Sequence, residues 1–465
     1  MKRQTSDGLR LAIISSAIFL AVIDIFIVNV ALPSIRAGLN GSDADMQLVI
    51  AMYLLGYASF LIVGGRLGDR FGKKRIFVGS MLLFTFASCF CGIAGTPLQL
   101  NIARFVQGVG AALLVPQSIA LVHVLYPGHQ ERIRALGIYG TIAGAASVIG
   151  QFLGGIIPDL DTAVAGWRLI FLINLPIGLL AAALAWRKLP ETPLAPRARF
   201  DVAGVALLTA GLMCLVFPLI QGRELGWPLW CIGMLGASAP ILAAFIWLQR
   251  RKSEPLMQLR LFAIPDFRIA LCATLCYFMV QDSYFLIHSV LLQTGLGLGA
   301  TATGLLFVAQ GVGYVLASMI AMRLLGKYGK KVLLAGVLLM IATLLMHMYL
   351  FAGERPGNTA LLPVLFLYGM GCGTVLPSML TMAMKSIPAE LSGAASGTYS
   401  TIQQVAVALG VSICGGVFFS LLQAGHGYTQ AYLPAMGLNI LLLLLTGCCL
   451  YLLPDGNAQP VNSWH

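Results

Sequence analysis

Apolar residues in this chain do not form a stripe at helical spacing. They run on almost unbroken for about twenty positions at a time and stop at short polar or basic segments. A bilayer needs about 20 consecutive apolar residues per helical span. Fourteen such runs are found, at roughly 11–33, 46–65, 76–95, 98–124, 134–157, 167–186, 201–221, 229–248, 267–292, 302–322, 332–352, 359–383, 394–422 and 434–453. Backbone groups in hydrocarbon must be bonded within the segment, so these runs predict helices. The ten-residue polar/apolar alternation of a membrane barrel is absent. The N-terminal run is too long for a secretory signal and lacks a small-residue cleavage site, so it reads as the first span.

The basic residues order the spans. With the N-terminus on the inner side, the inner segments carry 24 of the 29 Lys and Arg residues and the outer loops carry 4. One, Arg104, lies inside a span. This alternation predicts an even number of crossings with both termini cytoplasmic. Trp167, Trp227 and Trp230 fall at outer ends, and Trp186 and Trp247 at inner ends, as an interfacial belt requires.

Composition narrows the class further. Of 465 residues, 58% are apolar and 10% charged, against about 25% charged in a soluble domain, and mean hydropathy is +0.88. That excludes a soluble enzyme, a disordered chain and a nucleic-acid-binding protein, in spite of the net charge of +12. The ten cysteines contain no CxxC pair and lie mostly within apolar runs, where a thiol packs as a small hydrophobe. No P-loop, GxSxG, HExxH or paired-carboxylate arrangement is present. The chain therefore reads as a non-enzyme with no metal and no bound cofactor.

The longest inner loops, about 187–200 and 249–266, bracket spans seven and eight. The expected organisation is an N-terminal six-helix bundle (1–190), a central two-helix insert with its flanking loops (191–260), and a C-terminal six-helix bundle with a short tail (261–465). An internal echo supports it. The loop Gly65-Arg66-Leu67-Gly68-Asp69-Arg70-Phe71-Gly72-Lys73-Lys74-Arg75 and the loop Arg323-Leu324-Leu325-Gly326-Lys327-Tyr328-Gly329-Lys330-Lys331 hold matching places in the two halves, and internal repeats mark secondary transporters.

The 65–75 loop closely resembles the GxLaDRxGrrk motif of the major facilitator superfamily. Asp24-Ile25-Phe26-Ile27-Val28-Asn29-Val30-Ala31-Leu32-Pro33 resembles the first span of drug:proton antiporters, with Phe26 where that family usually has Thr. Arg104, Gln107, Gly108 and Gly110 resemble the fourth-span RxxQGxGaA motif. Gly137, Gly150, Gly154 and Gly155 resemble the fifth-span antiporter motif, with Gln151 in place of its Pro. Trp167-Arg168 through Asn174, Pro176 and Gly178, then Phe200-Asp201 with Gly204, and Pro255 with Leu259-Arg260-Leu261-Phe262, resemble markers of the fourteen-span branch, the QacA/EmrB type. The resemblance implies an all-α integral membrane protein with two six-helix bundles plus a two-helix insert. It also implies a multidrug/proton antiporter of the inner membrane that works by alternating access.

Residue chemistry fits that expectation. A charge at the bilayer centre costs about 2.5–3.5 kcal/mol, and only Asp24 and Asp282 of the seventeen acidic residues fall deep in spans. Each is a candidate proton carrier or cation ligand, the alternative being a structural hydrogen bond. Arg104 cannot deprotonate and needs a carboxylate or several polar partners, and Asp24 is the candidate partner. In the superfamily that the chain resembles, the 65–75 loop acts as a latch, which implies Gly65, Asp69, Arg70, Gly72 and Arg75 as the candidate cytoplasmic gate. Asn29, Tyr57, Gln107, Tyr284, Gln310, Gln403 and Gln404 are candidates to line a cavity. His288 reads more simply as a packed, hydrogen-bonded histidine than as a proton relay. The expected partners are a small-molecule substrate, protons and the bilayer, with the proton gradient as energy source. Nucleic acid is not expected, and a membrane-fusion partner has no support in the chain. A dedicated exporter of an endogenous metabolite, such as a siderophore or antibiotic, is the alternative function.

Overall fold

The computed structural model describes residues 2–126, 128–162, 164–192, 201–252, 255–352, 357–387 and 391–453. Phe200, named above as a branch marker, lies outside them. Among the described residues there are fourteen helices long and apolar enough to cross a membrane, and no strand. In chain order they are α1 (Lys2–Leu39), α2 (Asp43–Phe71), α3 (Lys73–Ile93), α4 (Pro97–Leu125), α5 (His129–Ile156), then α6 (Gly166–Leu172) and α7 (Asn174–Lys188), which form one span interrupted at Ile173. Next come α8 (Val202–Glu224), α9 (Leu229–Arg251), α10 (Pro265–Val290), α11 (Ala300–Tyr328), α12 (Lys330–Ala352), α13 (Asn358–Met384), α14 (Ser392–Gln423) and α15 (Tyr428–Leu452).

Local chemistry sets the helix ends. Ser42 caps α2 by accepting from the Asp45 amide at 3.1 Å while Asp45 accepts from the Ser42 amide at 3.0 Å. That reciprocal arrangement satisfies two donors the helix itself leaves open. Thr96 caps α4 ahead of Pro97, whose missing N–H is harmless in the first turn. In the two echoed loops a single glycine makes the break: Gly72 (φ 95°) separates α2 from α3, and Gly329 (φ 53°) separates α11 from α12. Both torsions suit glycine because it has no Cβ to clash. The sequence repeat is therefore a repeat of the turn itself.

The chain divides into two compact units. The first comprises residues 1–256 with 298–304. In it α2 packs most extensively on α4, α3 on α4 and α7, and α1 on α5. The insert, α8 and α9, belongs to this unit: the two helices pair with each other, and α8 packs along α2. The second unit comprises 257–297 and 305–465, where α10 packs on α14 and α15, and α12 on α13 and α15. Large apolar side chains remain outside, among them Phe90, Leu229, Trp230 and Trp247. That is the expected surface for helices whose solvent is lipid.

Glycines bring specific helices into backbone contact. A Cβ on Gly56, Gly64 or Gly108 would stand 2.3, 2.4 or 2.0 Å from a backbone oxygen across the α2–α4 crossing. On α5, Gly150 and Gly154 meet the backbone of α1 at Ile23 and Ile27, and Gly155 meets the first turn of α11, which belongs to the same unit. Gly137 and Gly140 have nothing within 4 Å, so only the second half of α5 uses its small residues for close approach.

The insert carries its own clasp. Asp201 caps α8 by accepting from the Gly204 amide at 2.7 Å, accepts from Gln249 Nε2 at 2.7 Å, and pairs with Lys252 just beyond α9. Burial pushes its carboxyl up, but the bonds from Lys252, Gln249 and Gly204 outweigh burial and hold it below the ordinary aspartate value of 3.8. A carboxyl lowered on folding adds stability that is present above its unfolded value and lost as pH falls through its folded value. Asp201→Asn keeps an N-cap side chain but loses the ion pair with Lys252, so it should cost about 0.5–1 kcal/mol of stability at pH 7. The gap to wild type should narrow steadily as pH falls below 3.8. A gap that does not change with pH in that range would mean the carboxylate charge is not what closes the clasp.

Candidate charge network in the first unit

Asp24 sits about three-fifths of the way along α1 and is fully buried. Arg104, on α4, is 1% exposed. The two form an ion pair through Arg104 Nη1 and Asp24 Oδ2. Gln107, one turn on from Arg104, donates from Nε2 to Asp24 Oδ1 at 2.7 Å and accepts from Arg104 Nη1 at 2.8 Å. Asn174, at the start of α7, donates to Asp24 Oδ1 at 3.4 Å and to Ser88 Oγ at 2.9 Å. Ser88 donates in turn to the Phe171 carbonyl at 2.9 Å, so α3 and α6 are tied in. Arg104 Nε donates to the Val49 carbonyl of α2 at 3.0 Å, and its guanidinium lies 4.4 Å from the Tyr53 ring centroid and 5.9 Å from that of Phe171.

Six elements thus converge on one carboxylate and one guanidinium. Each charge has more than its opposite number for support. Asp24 accepts from two side-chain amides, while Arg104 has a carbonyl, an amide oxygen and two aromatic faces. Breaking a buried pair is costly because a bare charge remains. Here the remaining charge would keep hydrogen-bonded and cation–π partners, so the pair can open at a reduced cost.

Of the other candidate residues, Tyr57 is buried one turn from Tyr53 and meets it edge-on at 6.1 Å. Asn29 is buried on α1 and Gln151 on α5, where Gln151 Oε1 has no hydrogen-bond partner among the described residues. In the candidate gate loop, Gly65 is open, Gly72 makes the turn, and Arg70 and Arg75 are exposed. The side chain of Asp69 lies outside what is described. The loop after α7 supports this region: Thr192 Oγ1 accepts from the Lys73 amide at 2.9 Å, and Glu191 pairs with Lys74 at 3.3 Å.

In the second unit Asp282 is half-buried on α10, with Gln310 buried on α11 and Gln403 and Gln404 half-buried and buried on α14. Tyr284 is enclosed inside the bundle, stacked on Tyr368 at 3.9 Å and against His288 at 3.9 Å. His288 Nδ1 bonds the Tyr284 carbonyl at 3.1 Å and its Nε2 bonds the Tyr432 hydroxyl at 2.9 Å. His288 is thus a packed, hydrogen-bonded histidine. The second histidine of this cluster, His347 on α12, lies 4.9 Å from it ring to ring. Reading the sequence missed His347 and Tyr432. A lone His in a long apolar run was the signal available.

The profile of the Major Facilitator Superfamily matches residues 14–411 and, a second time, 269–464. The chain belongs to the major facilitator superfamily. Among its relatives is a probable actinorhodin transporter of Streptomyces coelicolor, 35% identical over 89% of this chain and 72% of that protein. The multidrug resistance protein Stp of Mycobacterium tuberculosis is 33% identical over 88% of this chain and 75% of its own length. The puromycin resistance protein of Streptomyces alboniger is 34% identical over 97% and 92%. The fold matches those of solved transporters. These include the xylose transporter XylE of E. coli (TM-score 0.66, 17% identity, 95% of both chains) and a bacterial homologue of the lysosomal transporter Spinster (0.70, 15%, covering 96% and 97%). This superfamily member is a multi-pass, non-enzymatic membrane transporter, and its fourteen apolar helices fit the fourteen-span drug exporters.

Proposed function

We propose that this transporter exports amphipathic or cationic small molecules in exchange for protons, by alternating access, from the inner membrane with both termini cytoplasmic. The observation that carries the reading is the fully buried Asp24 held by Arg104, Gln107 and Asn174. Arg104 stays charged, so a proton and the guanidinium compete for the same carboxylate. When Asp24 takes a proton, the pair opens and Arg104 falls back on Val49, Gln107 and Tyr53, which moves α1 relative to α4. Relatives named for multidrug resistance support the substrate class. Two others, named for actinorhodin transport and puromycin resistance, favour a second reading, a dedicated antibiotic exporter. One inward proton supplies about 2.3 kcal/mol per 100 mV, which corresponds to roughly fifty-fold accumulation.

Everted vesicles acidified inside and carrying a pH-sensitive dye test both readings. Proton release on adding several structurally unrelated cations, abolished in Asp24→Asn, is the expected result. Release evoked by a single polyketide or nucleoside antibiotic alone favours the dedicated exporter. Silence towards every compound, with the protein present in the membrane, removes the proton-coupled reading.

A further inference from the structure

The two-helix insert touches α2 at both ends. At one end, Glu224, the last residue of α8, accepts from the Ala44 amide in the first turn of α2, Oε1 to N at 2.7 Å. Beside it Asp43 pairs with Arg36 of α1 at 2.6 Å. At the other end, Arg66 of α2 donates from Nη2 to the carbonyl of Pro255, in the segment that follows α9, at 2.5 Å. Between these two points α8 packs along α2.

The insert is stiff enough to act as a support. The Asp201 clasp with Gln249 and Lys252 closes it at the end where Arg66 is held. At the Glu224 end the α8–α9 turn is pinned by the Trp227 amide donating to the Gly222 carbonyl at 2.6 Å, with the Trp227 ring lying over Gly222. A Cβ on Gly222 would stand 2.8 Å from that ring.

What α2 carries makes this hold matter. Its Val49 carbonyl and Tyr53 ring are the contacts that Arg104 keeps if its pair with Asp24 opens. Its last turns carry the gate motif through Gly65 and Arg70 to Gly72. We infer that the insert is a guide for α2, with Glu224 and Arg66 as positioning residues that hold Val49 and Tyr53 in register with Arg104. Neither touches the charge pair. The inference rests on the charge network proposed above for coupling, and it gives the two extra helices a task in transport that their apolar composition does not announce.

The test uses the full chain in detergent and in vesicles. Hydrogen exchange is followed over residues 53–60, more than one and a half turns from either lost bond, in Glu224→Ala/Arg66→Ala, in Glu224→Gln and in wild type. Glu224→Gln keeps an acceptor for the Ala44 amide, so its exchange should stay within about twofold of wild type. The double variant should exchange at least about fivefold faster at 53–60. With ethidium as the transport probe, its turnover should fall at least about fivefold while the half-saturating concentration stays within about twofold. Faster exchange confined to 43–47 and 65–71, unchanged exchange throughout, or full turnover in a loosened α2 would each overturn the inference. Should wild type not carry ethidium at all, the substrate class proposed above is what fails, and exchange at 53–60 alone decides for or against the guide.

Discussion

Asp24→Asn and Arg104→Gln, made singly, should each destabilise the purified protein by about 3 kcal/mol, because each leaves one buried charge without its partner. The double variant should recover most of that loss, since neither charge remains. The coupling energy in the cycle should then be about 4–5 kcal/mol, within the range measured for close charge pairs. Transport should follow a different pattern. Asp24→Asn fixes the carboxyl as a neutral amide that can still accept from Gln107 and Asn174, so it stands in permanently for the protonated state. Coupled export should be undetectable in all three variants, including the stable double. Unfolding titrations in mixed micelles give the first quantity, and proton-coupled flux in vesicles the second. Recovery of flux along with stability in the double variant would reduce the pair to a structural tie. Wild-type flux in Asp24→Asn would remove Asp24 from coupling altogether.

Gly108→Ala should be the most damaging single-methyl change in this unit. The new Cβ would stand 2.0 Å from the Tyr53 carbonyl oxygen and 3.0 Å from its Cα, both backbone atoms of α2. No rotamer relieves a clash with backbone, so α2 and α4 must separate by roughly 1 Å. Overpacking of this kind costs about 1–3 kcal/mol, against about 1 kcal/mol gained from the better helix propensity of alanine. The larger effect is on the site. Tyr53 and Val49 are the α2 contacts of Arg104, so displacing α2 strips the guanidinium of its secondary partners. Export per molecule should fall at least about tenfold, since small misplacements at such sites carry large rate penalties. Gly140→Ala, with nothing within 4 Å of its Cβ, is the matched control: it should leave flux unchanged and raise stability by up to about 1 kcal/mol. Equal flux in the two variants would show that α2–α4 spacing does not govern the network.

These two experiments separate what a membrane sequence discloses from what it conceals. Asp24 and Arg104 stood out singly because a charge inside an apolar run needs a reason, and Arg104 called for a carboxylate. Gln107 and Asn174 were legible as members of family motifs, but their common target was not. Asp24 is 80 residues from Arg104 and 150 from Asn174. The 65–75 loop and its echo in the second half were legible as a repeated pattern, and the structure adds that each turns on one left-handed glycine. The insert was expected as a separate element between two bundles. Its packing along α2 and its bonds to Ala44 and from Arg66 were not legible, because they depend on distant helices meeting.

By itself the sequence determined how many times this chain crosses the bilayer, which loops are basic, and where charge interrupts the spans. Those properties depend on run length and on the price of charge in hydrocarbon, both of which are local. Only the tertiary structure decided which face of each helix meets a neighbour. Lipid and protein interior are equally apolar, so a span that is hydrophobic all round carries no stripe to mark its buried side. Glycine contacts, buried hydrogen bonds and the pairing of Asp24 with Arg104 make that choice, and they exist only once distant helices have met.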